Sequence, residues 1–289
     1  MKDSEAKPLQ GCIFDIKRYA IHDGPGIRMN VFFKGCPLLC HWCHNPEGQD
    51  PDPVIMFNPS RCLHCGACED RTNPEACPSG ALETCGRFMA VDEILKLALR
   101  EKIFFDRSGG GITCTGGEPL MQPDFLISLL AACRKNGIHT TVDTCLQAPE
   151  SVVHRVIPHT DLFLADVKIM DPAVHKKYTG TGNSLIHRNL RTVARSGVPF
   201  SLRIPLLRGI NDTKAEIDAM TAFALELREL GRLTTIHLLP YHNYGKAKKS
   251  RIYHGRLPVQ GDFSPPTTQK IQAILKDLHS HGFHAVTGG

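Results

Sequence analysis

The chain has 289 residues, 42% of them hydrophobic, a net charge of +5 and twelve cysteines. That length supports one large core, or one core with a small module. No apolar run reaches the length of a membrane span, and Met1 to Pro8 lacks the apolar stretch of a secretory leader. Thiols at this density in a cytoplasmic protein are better read as metal ligands than as six disulfides. The densest basic run, Lys246 to Arg251, has no interleaved aromatics, and reads as a solvated loop rather than a nucleic-acid surface.

In chain order, the first strand reads from Met29 to Lys34 and runs into a cysteine-rich loop. Asp50 to about Arg87 then breaks the rhythm, with prolines at 51 and 53, five cysteines and no amphipathic helix. It reads as an insertion, dividing the chain into 1–49 with 88–289, and 50–87. Asp92 offers a cap for a helix from Glu93 to Phe104. A second strand, Gly111 to Thr115, is followed by a helix starting near Pro123 and stopped by Gly137. That helix gathers Phe125, Leu126, Leu129, Leu130 and Cys133 on one side. Further strands read as Ile138 to Val142, Asp161 to Val167, Pro199 to Leu206 and Thr234 to Leu239. Helical periodicity lies between them, most clearly over Lys214 to Leu230 and Thr268 to His281. Such alternation predicts an α/β fold with a parallel sheet. Six units are too few to close an eight-stranded barrel, so an open, partial (β/α)6 barrel is expected.

Active sites of such barrels form where the strands end, and each of the six strands carries a chemical group there. The first ends at Cys36, Cys40 and Cys43, a C-x3-C-x2-C triplet. A [4Fe–4S] cluster takes four cysteines, so three leave one iron with an open position. The second ends at Thr115-Gly116-Gly117-Glu118-Pro119, the third at Asp143-Thr144, and the fourth at Asp166-Val167-Lys168. The fifth contains Arg203, and the sixth ends at Pro240-Tyr241-His242. Each has a plainer reading: a tight glycine turn with Glu118 capping the next helix, strand-end aspartates, solvated cations, a loop histidine. Together they supply a carboxylate for an amine, cations for a carboxylate and acceptors for ribose hydroxyls. That inventory suits an amino-acid nucleoside held against an open iron.

These residues resemble the radical S-adenosylmethionine (SAM) superfamily, in the cysteine spacing with Trp42 before the last cysteine and in Thr115 to Pro119. Ile21-His-Asp-Gly-Pro-Gly-Ile-Arg28 resembles more narrowly the glycyl-radical-enzyme activating enzymes, the pyruvate formate-lyase activase group. Cys43 to Glu47, Asp106 to Gly111, Asp166 to Lys168 and Leu238 to His242 agree with it. The resemblance implies that Cys36, Cys40 and Cys43 ligate a [4Fe–4S] cluster whose fourth iron is chelated by SAM. It places Trp42 and His44 against the adenine, and Gly116, Gly117 and Glu118 at the methionyl amine. Asp166, Val167 and Lys168 fall on the ribose and carboxylate side, with Arg203 and His242 completing the pocket. Asp143 and Thr144 match a position that in some relatives helps bind a monovalent cation. The implied partner is a glycyl-radical enzyme and the implied electron donor a flavodoxin or ferredoxin. A monomer in an anaerobic cytoplasm, without nucleic acid or membrane, is expected. The alternative is a radical SAM enzyme acting on a small molecule or peptide side chain.

Within the insertion, Cys62, Cys65, Cys68 and Cys77 resemble half of a bacterial ferredoxin, spaced x2, x2, x8. They predict a ferredoxin-like module with a second [4Fe–4S] cluster; zinc in the same thiolates is the alternative, and Cys85 is an alternative fourth ligand. Cys12, Cys114, Cys133 and Cys145 read as ordinary small core residues.

Overall fold

The structure, a computed structural model, describes residues 9–68, 71–254 and 261–288. Met1 to Pro8, where no leader is expected, lie outside them. Six parallel strands lie side by side: β2 (Arg28–Phe33), β6 (Gly111–Gly116), β7 (His139–Thr144), β8 (Leu162–Asp166), β9 (Phe200–Leu206) and β10 (Leu233–Pro240). These are the six expected strands, shifted by at most two residues at either end, in a parallel sheet consistent with an open partial barrel. Side chains alternate along each strand. Met29, Val31 and Phe33 are fully buried in the helix-side core, where Phe33 packs on Phe125 at 5.9 Å. Their neighbours Asn30 and Phe32 point the other way, toward the interior cavity. In β9, Phe200, Leu202, Ile204 and Leu206 join the core, leaving Ser201, Arg203 and Pro205 for the interior.

The helix layer contains α3 (Pro123–Lys135), α4 (Glu150–Val156), α5 (Pro172–Thr179), α6 (Ser184–Arg195), α7 (Lys214–Leu230) and α9 (Thr268–Ser280). The five residues expected on one side of α3 are all buried.

Several elements depart from expectation. The sheet is extended at one edge by β12 (Ala285–Thr287), parallel to β10. At the other edge β1 (Gln10–Ala20) lies antiparallel to β2 and carries β5 (Arg87–Ala90). Edge strands with one wet face carry too little apolar alternation to stand out in the sequence. The helix expected over Glu93 to Phe104 is two helices, α1 (Val91–Arg100) and α2 (Lys102–Ser108), broken at Glu101. Asp92 is not its cap. Ala90 leaves β5 extended and occupies that position, and the Glu93 carboxylate accepts the Ala90 N–H at 2.6 Å.

Residues 50–87 contain no α-helix among those described. They hold a hairpin of β3 (Val54–Phe57) and β4 (Leu82–Cys85), but β3 also pairs with β11 (Ile252–His254) from far along the chain. Arg87 already belongs to the main sheet. The basic run is not a loop: it forms α8 (Tyr244–Lys249) and the turn after it. Lys248 pairs with Glu47 at 2.8 Å, Lys246 with Asp262 at 2.7 Å and Arg251 with Glu83 at 2.5 Å.

Candidate functional site

The cysteine loop leaves β2 at its carboxyl end and is tied down on three sides. Gly35 N–H donates to the carbonyls of Gly48 and Asp50, and Cys36 N–H to that of Gln49, at 2.8–3.1 Å. Leu39 and His41 N–H donate to Thr179 and Tyr178 of α5, and Cys43 N–H closes a turn onto Cys40. On the third side α8 comes so close that a Cβ at Gly245 would lie 2.2 Å from the Cys43 carbonyl oxygen. Cys36, Cys40 and Cys43 are free thiols on the wall of one cavity of about 240 Å³. Burial, then the neighbouring cysteines, pushes the Cys40 thiol up, and burial likewise pushes Cys43 to about 12. Thiols so placed ionise only around a strongly positive centre. A three-sulfur donor set without a fourth ligand fits an iron–sulfur cluster with one free corner.

The rest of the cavity is a charged network. Lys168 Nζ donates to Asp166 at 2.7 Å; Arg203 bridges Asp23 at 3.0 Å and Asp143 at 3.4 Å. Asn30 Nδ2 donates to Asp23, and Thr115 Oγ1 to Asp143 at 2.8 Å. Burial lifts the Asp143 carboxyl to about 6 against the pull of Arg203, helped by Asp166 and Asp23. Burial opposes the charge on Lys168, yet Asp166 and the Cys40 thiol outweigh it and raise its pKa. Two buried polar atoms here have no partner among the described residues, Asn30 Oδ1 and His44 Nε2, as expected of walls shaped for a polar ligand. Trp42 and His44 make the aromatic side. His44 stacks on His242 at 3.8 Å, and burial followed by His242 and Lys168 lowers it to about 4, so it is neutral near pH 7.

Gly116 and Gly117 lie on this wall, where no larger residue fits: a Cβ would come within 2.4 Å of Phe33 N and 2.3 Å of Gly35 O respectively. Glu118 does not reach the cavity. It is fully buried behind the wall, accepting Leu120 N–H at 3.0 Å, Thr144 Oγ1–H at 2.7 Å and Cys145 N–H at 2.7 Å. Its carboxylate caps the Pro119–Met121 turn and pins the loop after β7, so it is not an amine ligand. Val167 likewise turns into the helix-side core, since it alternates with the inward Asp166 and Lys168. His242 is exposed and touches the site only through His44. Asp143, Thr144, Asp166, Lys168 and Arg203 do line the cavity.

Among the further lining residues to which the sequence reading gave no site role are Asn30, Asn45 and Cys145. Asn30 had a signal, a polar residue alternating within an otherwise apolar strand. Cys145, expected to be core filler, stands on the wall with Cys36. Asp23 was quoted only within the Ile21 to Arg28 motif, with no site role, but its carboxylate enters the charged network. Arg203 also borders a second, larger cavity of about 630 Å³. This is lined by Ile21, His22 and Pro25 on one side and by residues of β8, β9, β10 and β12 on the other.

In the insertion, Cys62 Sγ accepts His64 N–H, and Cys77 Sγ accepts Leu82 N–H, both at 3.4 Å. The Leu82 N–H and the Ser79 hydroxyl lower the Cys77 thiol. Cys85 lies instead against Val54, Met56 and Ile252, where burial lifts its thiol to about 11. Among the described residues no three His, Cys, Asp or Glu side chains close around a single ion-sized point.

Residues 30–221 match the radical SAM superfamily. The chain is 35% identical to the trans-4-hydroxy-L-proline dehydratase activating enzyme of Clostridioides difficile, covering 96% of this chain and 99% of that one. It is 35% identical to the choline trimethylamine-lyase activating enzyme of Oleidesulfovibrio alaskensis, over 91% and 94%. With the isethionate sulfite-lyase activating enzyme of Nitratidesulfovibrio vulgaris the identity is 38%, over 92% and 95%. Among solved structures, a domain of a pyruvate-formate lyase-activating enzyme from Bacteroides vulgatus superposes with a TM-score of 0.53 at 34% identity. It covers 62% of this chain and 99% of that one.

Proposed function

Because the chain belongs to the radical SAM superfamily, and within it to the glycyl-radical-enzyme activating enzymes, we propose that it installs a glycyl radical on a separate partner enzyme. The observation that carries this reading is one cavity walled by Cys36, Cys40, Cys43, the Gly116-Gly117 backbone, Asp166, Lys168 and Arg203. When bound by the three thiolates, a [4Fe–4S] cluster supplies the electron that splits SAM into methionine and a 5′-deoxyadenosyl radical, which takes hydrogen from the partner's glycine.

The protein's contribution is placement and exclusion of water. The Gly116 and Gly117 backbone receives the methionyl amine, a role their lack of side chains permits and the turned-away Glu118 does not share. Lys168, held by Asp166, faces the methionyl carboxylate. Asp166 also offers an acceptor to the ribose, and Arg203 fixes the carboxylates around it. Trp42 and neutral His44, backed by His242, clamp the adenine without placing a charge against it. Asp143, Thr144 and Asp166 suit a monovalent cation, which would offset the burial, and the lesser push of Asp166 and Asp23, that keep Asp143 near 6.

In the insertion, Cys62, Cys65, Cys68 and Cys77 hold a second [4Fe–4S] cluster in this reading. The amide donors already aimed at Cys62 and Cys77 favour them over Cys85. A flavodoxin or ferredoxin donor, a monomeric state and a cytoplasmic site belong to the same proposal.

The test is anaerobic electron paramagnetic resonance with reductant, SAM and candidate glycyl-radical enzymes, each supplied in turn. An organic doublet on the partner, with 5′-deoxyadenosine released and both lost in Cys40→Ala, is the expected result. Turnover on a free small substrate without that doublet would shift the reading to another radical SAM chemistry.

A further inference from the structure

We propose that Tyr19, Ile21, Ile103 and Phe104 form the docking collar for the partner enzyme, gripping the apolar surface around its glycine loop while the loop enters the larger cavity. This rests on the activating-enzyme reading and adds where the partner sits. The four side chains are 53%, 63%, 55% and 39% exposed, which is unusual for residues that ordinarily seek burial. They come from β1 and α2, far apart in sequence, yet Tyr19 and Phe104 meet edge to face at 5.4 Å. Arg18, paired with the buried Glu101 at 2.8 Å, locks the end of β1 to the α1–α2 corner. Tyr19 has φ of 61°, a left-handed conformation that a bulky residue adopts only at an energetic cost. Here it holds an aromatic ring in water.

The patch is continuous with the way into the site. Ile21 belongs both to it and to the lining of the 630 Å³ cavity. The helix that carries Phe104 also supports the cavity lip: Ser108 Oγ accepts Ile27 N–H and donates to the Phe104 carbonyl, each at 2.8 Å. That cavity ends at Arg203, which also lines the cluster cavity. A glycine carried by a folded protein can reach that depth only on a loop, and the surface bearing the loop then lies against the mouth. Rigid aromatic and branched side chains at such a rim are the usual anchors of protein interfaces.

The test uses the Tyr19→Ser/Phe104→Ser double variant, with a glycyl-radical enzyme that the wild type activates and a short peptide copied from its glycine loop as probes. The apparent affinity for the full-length partner, read from radical signal against partner concentration, should weaken about tenfold or more. Peptide-stimulated and partner-free SAM cleavage should stay at the wild-type level, which also shows that the variant is folded. Unchanged affinity for the full-length partner overturns the proposal. So does an equal loss with the peptide, which would give these residues to the cavity itself. A wild-type dimer in sedimentation that the variant abolishes would assign the patch to a second copy and overturn it too. Failure of the wild type to form a radical on any glycyl-radical enzyme is a separate result, and defeats the activating reading instead.

Discussion

Two residues show how a motif and its side chain can part company. Glu118 sits in the amine-binding motif, yet its carboxylate is spent on three internal donors. Glu118→Gln should therefore lower stability by about 1–3 kcal/mol, because an amide cannot accept at all three places. Its effect on SAM affinity should be the smaller one. Denaturant melts beside SAM titrations check this, and lost SAM affinity at wild-type stability would return the carboxylate to the cavity. Cys77 and Cys85 are a second case: both were legible as fourth ligands, and sequence distance did not separate them. Cys77 takes backbone N–H donors on an open loop, whereas Cys85 is packed in a small apolar cluster. Cys77→Ala should remove one cluster's worth of iron and Cys85→Ala none, by iron and sulfide analysis of reconstituted protein.

At the scale of elements, the helices outside the site carry a pH signal of their own. His187 on α6 lies tilted against Phe223 of α7 at 4.6 Å, and burial, with Arg191 adding, lowers it from 6.5 to about 4. The folded state thus disfavours its protonated form relative to the unfolded chain. The stability tied to it is complete above about 6.5 and is lost as pH falls toward about 4. After allowance for solvent screening this amounts to about 1–2 kcal/mol. His187→Gln should flatten that part of the acid limb in thermal melts between pH 7 and 4; an unchanged limb would contradict the burial argument. The core-facing strands and α3 were readable because alternation and helical spacing are strong where one face is wholly buried. β1, β5, β11 and β12 were not, since strands at or next to a sheet's edge owe their existence to a neighbour supplied from elsewhere in the chain. α8 was masked by its charge: its lysines pair with acids distant in sequence, and no local pattern announces that.

At the scale of the whole molecule, the insertion and the cluster loop are not separable at the boundary the sequence suggested. The carbonyls of Gly48, Gln49 and Asp50 hold the amides of Gly35 and Cys36, and β11 reaches back to pair with β3. Replacing 51–86 by a short linker should lower stability but keep the N-terminal cluster's paramagnetic signal. Extending the excision to 48 should lose that signal, because the loop then has no acceptors along one side. Equal signals from both would show that the cysteine loop is held by α5 and α8 alone. The chain's order of residues by itself determined the parallel strands, the inward-facing chemistry at their ends and the incomplete thiol set, because spacing and alternation are local properties. Only the tertiary structure decided that Glu118 and Val167 face away, that Asp23, Asn30 and Cys145 face in, and that Arg203 stands between two cavities. Those choices depend on which distant groups compete for each buried donor and acceptor, and that competition exists only once the strands are side by side.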